Sequence, residues 1–235
     1  MNPVIDIRRS SDRFASDFGW LDSKHSFSFG RHYDPNNTHH GLLLVNNDDI
    51  VRAGTGFDTH PHRDMEIVTW VLEGELEHKD SEKNRGVIYP GLAQRMSAGT
   101  GIWHSEMNAS TSDVHFIQMW VLPDTESVKP SYQQLDINAE LAKGGLVPIA
   151  SGQGHDAAIS LRQNGAVLWG GRLAAGETVT VPDAAHVHVY VARGEASLEA
   201  AGWLATGDSA RLVGAGSPSL TAGTTGAEVL IWATA

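Results

Sequence analysis

Two short segments of the chain carry side chains of the kinds that bind metal ions. The first, residues 54–66, reads Gly-Thr-Gly-Phe-Asp-Thr-His-Pro-His-Arg-Asp-Met-Glu and contains His60, His62 and Glu66. The second, residues 99–108, reads Gly-Thr-Gly-Ile-Trp-His-Ser-Glu-Met-Asn and contains His104 and Glu106. Imidazole and carboxylate groups suit divalent transition metals, so the two segments together predict a metal site.

The spacing within each segment predicts how these side chains point. Side chains alternate between the two faces of an extended strand, so His60 and His62 project to one side, and His104 and Glu106 do the same. An isolated His-x-His pair more often ends a strand at a loop, but matched pairs in two segments favour a metal site. Spacing leaves the fourth ligand open, because Glu66 and Glu106 both lie an even number of residues from a histidine.

The remaining histidines of the first half have no such partner segment. We expect most of them to be ordinary polar or surface residues: His25, His32, His39, His40, His78 and His115. Four large aromatic residues of the same half are expected in the core rather than against a substrate: Trp70, Trp103, Phe116 and Trp120. Trp103 stands next to His104 in sequence, so its side chain is expected to face away from the site.

A second His-x-His pair, His186 and His188, lies in the other half of the chain. In the first half the second histidine stands 12 residues before the Gly74-Glu75 turn, whereas His188 stands 6 residues before the corresponding Gly194-Glu195. No histidine follows His188 that corresponds to His104. The second half is therefore predicted to hold no metal.

Composition excludes several classes of function. Lys and Arg number 17 against 28 Asp and Glu, and the net charge of −11 argues against direct binding of nucleic acid. The chain has no cysteine, so any metal must be bound through nitrogen and oxygen. No stretch approaches the roughly 18 apolar residues of a membrane helix, and residues 1–16 do not resemble a signal peptide. We therefore expect a cytoplasmic protein that does not bind membranes.

Short apolar runs separated by turn residues predict β-strands along most of the chain. In the first half they lie at 24–29, 67–72, 76–78, 87–89, 92–96 and 114–122, with hairpin turns at Asn46–Asp49, between 42–45 and 50–51, and at Glu73-Gly74. Residues 123–145 lose this rhythm around a helical turn at 137–142. It returns at 166–173, 177–181, 186–191, 210–213 and 228–232.

An all-β chain in two similar halves predicts two Greek-key, jelly-roll-like barrels in tandem. We place a metal-binding barrel at residues 1–123, a linker at 124–145 and a barrel without metal at 146–235. The inward side chains of a barrel converge on one axis, which makes its interior a natural metal site.

The ligand segments resemble those of a known superfamily. The patterns Gly54-x5-His60-x-His62-x3-Glu66 and Gly101-x2-His104-x3-Asn108 resemble the paired motifs of cupins. Within the cupins, the strings at 60–66, 96–106 and 19–29 resemble those of pirins, and the resemblance is densest over residues 19–122.

The resemblance implies a bicupin with one metal, held by residues matching His60, His62, His104 and Glu106. It selects Glu106 over Glu66 as fourth ligand, because Gly-x-x-His-Ser-Glu matches the pirin pattern. Glu66 is then expected to orient one of the metal ligands by contacting it, without binding the metal itself. The implied metal is Fe(II) first, with Mn, Co, Ni, Cu or Zn as alternatives.

The resemblance also implies an activity. Bacterial pirins of this length are regarded as quercetin 2,3-dioxygenases, which open a flavonol with dioxygen and release carbon monoxide. Glu106 would then also be catalytic and accept the proton of the flavonol hydroxyl. His25 is the exception among the remaining histidines, because it lies in one of the pirin-like strings, which could line the mouth of the site. The alternative is a metal-sensing or redox-sensing protein that regulates a protein partner, as animal pirin is described; in either case we expect a monomer.

Overall fold

The computed structural model describes residues 3–235, which form mostly β-strands. The strands of the first half are β1 (Val4–Arg8), β2 (Phe14–Asp17), β3 (Leu21–His25), β4 (Leu43–Val51), β5 (Gly56–His62), β6 (Glu66–Glu73), β7 (Leu76–Asp80), β8 (Arg85–Ile88), β9 (Leu92–Ser97), β10 (Ile102–Met107), β11 (Val114–Val121) and β12 (Ser131–Asp136). Those of the second half are β13 (Val147–Ser151), β14 (Ile159–Ser160), β15 (Ala166–Leu173), β16 (Thr178–Thr180), β17 (His186–Leu198), β18 (Gly202–Ala205), β19 (Ser209–Val213) and β20 (Ser219–Thr234).

The helical segments are short. A 3-10 turn spans Ser10–Asp12, and helix α1 spans Asn138–Leu141, within the predicted helical turn. Among residues 3–235, no helix is long and apolar enough to cross a membrane.

Two sheets enclose the interior of the N-terminal barrel. One has seven strands in the order β12-β9-β6-β11-β4-β3-β2, and the other has four in the order β5-β10-β7-β8. Apolar side chains from both sheets, such as Val71 and Phe116 of the first and Leu76 and Ile88 of the second, pack between them. The four-stranded sheet carries His60 and His62 on β5 and His104 and Glu106 on the adjacent strand β10.

The C-terminal barrel is formed by one curved sheet of nine strands, in which β17 and β20 are long enough to pair with several others. Alternate residues of β17, namely Val187, Val189 and Val191, pack in its interior. Side chains therefore fill the interior of this barrel. The predicted all-β fold of two barrels is confirmed.

The largest apolar cluster lies between the two barrels. Val68, Trp70 and Leu72 of β6 point out of the N-terminal barrel and pack with Tyr190 and Trp232 of the C-terminal one. The intervening Ile67 and Val71 pack inside the N-terminal barrel. The alternation of β6 therefore decides which of its side chains face the barrel interior and which face the interface.

The predicted turn at Asn46–Asp49 is wrong. These residues lie in the middle of the continuous strand β4, and three of the four are buried. Asp48 is bound by groups distant in sequence: Arg13 at 3.2 Å, His115 at 2.6 Å and the hydroxyl of Tyr190. These partners from distant parts of the chain hold Asp48 within the sheet, so the strand continues where local propensity favours a turn.

The predicted hairpin at Glu73-Gly74 is also wrong, although a turn does lie there. β6 belongs to the seven-stranded sheet and β7 to the four-stranded sheet, so the turn carries the chain from one sheet to the other. Gly74 has a φ of +79°, and a Cβ there would lie 2.8 Å from the carbonyl oxygen of Asp113. Strand β7 forms its hairpin with β8 instead.

Strand pairing at the N-terminal end of the first half connects the two barrels. β1 pairs with β19 of the C-terminal barrel, and β12 extends the seven-stranded sheet by pairing with β9. β3 ends at His25, so the second part of the strand predicted at 24–29 lies in a loop. The predicted boundaries at 123 and 146 stay a prediction.

Candidate metal centre

Three histidines converge on the cavity side of the four-stranded sheet. Strands β5 and β10 are antiparallel neighbours with His60 opposite His104 and His62 opposite Ile102. One ring nitrogen of each of His60, His62 and His104 lies within 4.8 Å of the others. The ring centroids are 4.9 Å apart for His60 and His62, 4.4 Å for His60 and His104, and 5.0 Å for His62 and His104. His60 and His62 thus form one cluster with His104, which lies about forty residues further along the chain.

The cluster lies beside a cavity of about 700 Å³. His60, His62 and Glu106 line it together with Gln118 of β11. The other walls are largely aromatic and come from the loops and strands around the barrel mouth: Trp20, Phe29, Phe57 and Trp120. Trp120 is therefore a wall of the site, which corrects its placement in the core; Trp70 and Phe116 are buried as predicted.

Two of the three rings have the hydrogen-bonding state that a metal ligand needs. The Nδ1 atom of His60 lies 2.7 Å from the carbonyl oxygen of Asp58, so it carries the proton and leaves a lone pair on Nε2. The Nε2 atom of His104 is buried and has no hydrogen-bond partner in the described chain. Buried polar atoms are nearly always partnered, so this nitrogen fits the role of a metal ligand. A donor set of three imidazoles beside a carboxylate suits a divalent transition metal.

Burial keeps the rings of His62 and His104 neutral. It lowers the pKa of His62 to about 4, helped by the nearby His104 and His60 and opposed by the charge of Glu106. Burial likewise lowers the pKa of His104 to about 3, helped by His60 and His78 and opposed by Asp80. Neutral imidazole is the form that binds metal, so at neutral pH both rings are ready to act as ligands.

Glu106 is buried on the same strand as His104 and lines the same cavity as His60 and His62. Its two carboxylate oxygens accept hydrogen bonds of 3.0 and 2.9 Å from the amide nitrogen of Gln118. One of its oxygens groups within 4.8 Å with nitrogens of His104 and His78, rather than with all three cluster histidines. A β-bulge between His104 and Glu106 shifts the register here. The assignment of Glu106 as fourth ligand stays a prediction.

Glu66 lies on the other side of the seven-stranded sheet. It shares the outward face of β6 with Val68 and Trp70 and accepts hydrogen bonds from the Ser97 hydroxyl and, at 3.1 Å, from the Arg162 backbone amide. Arg95 lies 3.9 Å from the same carboxylate. The expectation that Glu66 orients a ligand histidine is therefore wrong, since its partners hold it between the two barrels.

His78 was predicted to be an ordinary polar residue, and the structure corrects this. Its side chain is fully buried on β7, next to β10, with Nδ1 3.5 Å from Nδ1 of His104. The indication missed in the sequence is His78-Lys79-Asp80, another pair of polar residues two apart on a strand. Its other partner is Asp80, at 3.1 Å from Nε2.

His25 is buried behind the site rather than at its mouth. It lines a second cavity of about 230 Å³ that shares Trp20, Phe29, Phe57 and Gln118 with the first. The polar lining of this second cavity includes Ser23, Asn47 and Asp49. Burial raises the pKa of Asp49 to about 7, with the charges of Asp48 and Glu106 acting in the same direction.

The pair His186 and His188 does not face the interior of the C-terminal barrel. The alternate residues Val187 and Val189 pack there, so the two histidines point outward. His188 is buried against Phe27 at the interface between the barrels, and His186 contacts His40. Neither occurs among the candidate metal-ligand groups of residues 3–235.

Two β-barrels in tandem, with a histidine cluster at the mouth of one, define a cupin with two barrels. Family models support this along most of the chain: the model described as Pirin matches residues 7–121, and the one described as Quercetinase C-terminal cupin domain matches residues 148–232. A Mycobacterium tuberculosis protein named "Putative quercetin 2,3-dioxygenase" is 58% identical over 234 residues, which are 99% of this chain and 96% of that protein. The chain belongs to the pirin family.

Comparisons with Escherichia coli give a similar sequence and a similar crystal structure. A quercetin 2,3-dioxygenase is 48% identical over 141 residues, which cover 60% of this chain and 61% of that protein. The crystal structure of a bacterial pirin in complex with nickel(II) superposes with a TM-score of 0.89 and 35% identity, covering 97% of this chain and 98% of the other.

Proposed function

We propose that this protein is a metal-dependent dioxygenase that opens the heterocycle of a flavonol such as quercetin. The observation that carries the proposal is the cluster of His60, His62 and His104 beside a cavity of about 700 Å³ with aromatic sides. The names of the mycobacterial and E. coli relatives support the substrate class.

His60, His62, His104 and Glu106 would hold the metal. When bound, a divalent transition metal supplies Lewis acidity toward an enol oxygen and open positions for substrate and dioxygen. The nickel(II) in the E. coli pirin supports a divalent ion. Fe(II) stays our first prediction for the native metal.

The cavity suits a flat aromatic substrate. Its volume lies within the range of about 300–1,000 Å³ that is typical of small-molecule sites. Trp20, Phe29, Phe57 and Trp120 offer ring faces and edges to a fused ring system. The adjoining cavity near His25 and Asp49 adds polar groups that fit the ring hydroxyls of a polyphenol.

Glu106 would accept the proton of the flavonol 3-hydroxyl, while Gln118 keeps the carboxylate in the cavity. In the overall reaction the two carbon–carbon bonds to the hydroxyl-bearing carbon break, and this carbon leaves as carbon monoxide. Both atoms of dioxygen remain in the product, one in the new ester and one in the new carboxyl group. Atoms and electrons balance without a further reductant.

The test is oxygen uptake and carbon monoxide release by protein reconstituted separately with Fe(II), Ni(II), Mn(II) and Co(II). We expect one dioxygen consumed and one carbon monoxide released per quercetin with at least one metal. Quercetin methylated on its 3-hydroxyl is the matched control, because it keeps the ring system but lacks the ionisable enol. Fully loaded protein that consumes no oxygen with quercetin would contradict the proposal and favour the sensing alternative.

A further inference from the structure

A buried carboxylate and imidazole lie behind His104, on the side away from the cavity. The side chains of His78 and Asp80 are both fully buried, with His78 Nε2 3.1 Å from Asp80 Oδ2. On its other edge, His78 Nδ1 lies 3.5 Å from His104 Nδ1. Neither His78 nor Asp80 lines the 700 Å³ cavity. The three side chains thus form a line that ends at the metal centre.

The carboxylate of Asp80 determines the direction of each hydrogen bond between Asp80, His78 and His104. An ionised carboxylate only accepts, so the proton between Asp80 and His78 lies on Nε2 of the histidine. A neutral imidazole with a proton on Nε2 has its lone pair on Nδ1. His78 can then only accept from His104, which places the proton of His104 on Nδ1. The lone pair of His104 therefore lies on Nε2, the buried atom without a partner.

Asp80 is itself held in place. Its Oδ1 accepts from the backbone amides of Glu82 at 3.0 Å and Asn84 at 2.9 Å in the turn between β7 and β8. The side-chain amide of Asn84 donates to its Oδ2 at 2.9 Å. The ring of Tyr132 covers His78 with a centroid distance of 4.8 Å. The turn and this ring leave the pair little freedom to rotate.

We infer that Asp80 and His78 are positioning residues that fix the tautomer of His104 and thereby set the affinity of the site for its metal. The inference rests on the metal centre of the proposed function and adds two residues to it. Hydrogen-bonded partners of metal-bound histidines fix ring orientation and raise ligand basicity, and their loss typically costs about 10–100-fold in metal affinity. His78 is not expected to bind a second ion, because Asp80 and His104 already occupy both of its nitrogens.

The first test reads the tautomer directly. Long-range ¹H–¹⁵N NMR of metal-free protein is expected to show His104 protonated on Nδ1. Asp80→Asn replaces the accepting oxygen by an amide that can donate to His78, which reverses both hydrogen bonds and moves the His104 proton to Nε2. Wild-type protein with His104 protonated on Nε2 would overturn the inference.

The second test measures Ni(II) affinity by competition with a chelator. Asp80→Asn is expected to weaken binding about 10–100-fold. His78→Gln, which retains an accepting oxygen, should bind Ni(II) more tightly than His78→Leu, which has none. The comparison of these two variants also tests the inference if Asp80→Asn does not fold. Lys79→Ala, on the exposed face of the same strand, is the control and should bind like wild type. Equal affinity of all variants would refute the inference.

These measurements do not depend on flavonol turnover. Wild-type protein that binds Ni(II) and shows the expected variant order, yet consumes no oxygen with quercetin, would contradict the proposed function alone. Normal turnover with unchanged affinity in Asp80→Asn and both His78 variants would contradict the positioning role alone.

Discussion

The amide nitrogen of Gln118 lies between the two carboxylate oxygens of Glu106, at 3.0 and 2.9 Å. Gln118 is held in turn by Trp120, whose indole nitrogen donates to the Gln118 carbonyl oxygen at 3.2 Å. The aromatic wall of the cavity is thus connected to the carboxylate of Glu106. Gln118 and Trp120 stand two apart on β11, so they face the same side of the strand.

Replacing Gln118 by leucine should weaken the metal centre while leaving all four predicted ligands in place. Glu106 would lose both hydrogen bonds, and we expect Ni(II) affinity to fall about 10–100-fold. The metal-free protein should also lose about 1–3 kcal/mol of stability, because a buried carboxylate is left without a donor. Chelator competition and urea unfolding measure the two effects. Gln153→Leu, an exposed position in the other barrel, serves as control, and unchanged affinity in Gln118→Leu would contradict the prediction.

The metal-free protein should become less stable as the pH falls from about 6.5 to about 4.5. Folding lowers the pKa of His40 and His62 to about 4 and of His104 to about 3, in each case chiefly through burial. Between these values and the ordinary histidine pKa of about 6.5, the unfolded chain binds protons that the folded chain does not. One such proton corresponds to about 1.4 kcal/mol per pH unit at most, and partial exposure reduces this.

Asp49 contributes in the opposite direction. Its pKa is raised to about 7 in the folded chain, chiefly by burial, so the contribution of this proton to stability is lost as the pH rises from about 4 through 7. Asp49→Asn should therefore steepen the loss of stability on acidification. Urea unfolding at pH 7, 5.5 and 4.5 with a chelator present measures both slopes. Wild-type stability that rises steadily toward pH 4.5 would be inconsistent with neutral buried histidines.

Much of the site could be predicted because its residues obey strand periodicity. His60 and His62 stand two apart on β5, and His104 lies on the neighbouring strand, so alternation predicts that their side chains meet. The distance of His186 and His188 from the following turn predicts that they do not match the ligand positions of the first half. Alternation on β17 gives the physical reason, since the intervening valines fill the barrel.

The features that sequence did not reveal depend on partners distant in the chain. Asp48 lies within a strand because Arg13, His115 and Tyr190 bind it. His78 lies next to His104 only because β7 pairs with β10, and the two histidines are 26 residues apart in sequence. Local propensity contains no information on such pairing, and a polar run or a lone histidine then looks like a turn or a surface residue.

Replacing His186 and His188 together by glutamine should leave metal content and turnover unchanged. Both side chains point away from the interior of the C-terminal barrel, and the candidate ligand groups of the described chain lie in the N-terminal barrel. Elemental analysis of protein purified without chelator should find about one transition metal per chain, in wild type and variant alike. Loss of metal in the variant, with an unchanged circular dichroism spectrum, would contradict a single centre at His60, His62 and His104.

Glu106→Gln should reduce metal affinity, whereas Glu66→Gln should reduce stability. Glu106 lines the cavity with two of the histidines, so its loss should weaken metal affinity by more than about 100-fold and abolish most flavonol-dependent oxygen uptake. Glu66 lies on the other face of its sheet between Arg95, Ser97 and the Arg162 amide. Its replacement should instead reduce stability by about 1–3 kcal/mol and leave metal affinity unchanged.

The two glutamates are matched controls for each other, because each substitution exchanges one carboxylate oxygen for an amide at a buried position of the same barrel. Metal affinity, oxygen uptake and urea unfolding should be measured for both after identical reconstitution. The ligand hypothesis requires affinity to fall in Glu106→Gln and stability to fall in Glu66→Gln. If Glu66→Gln loses its metal while Glu106→Gln stays loaded and active, the fourth ligand is Glu66, and β6 must then rearrange on metal binding to turn that side chain inward.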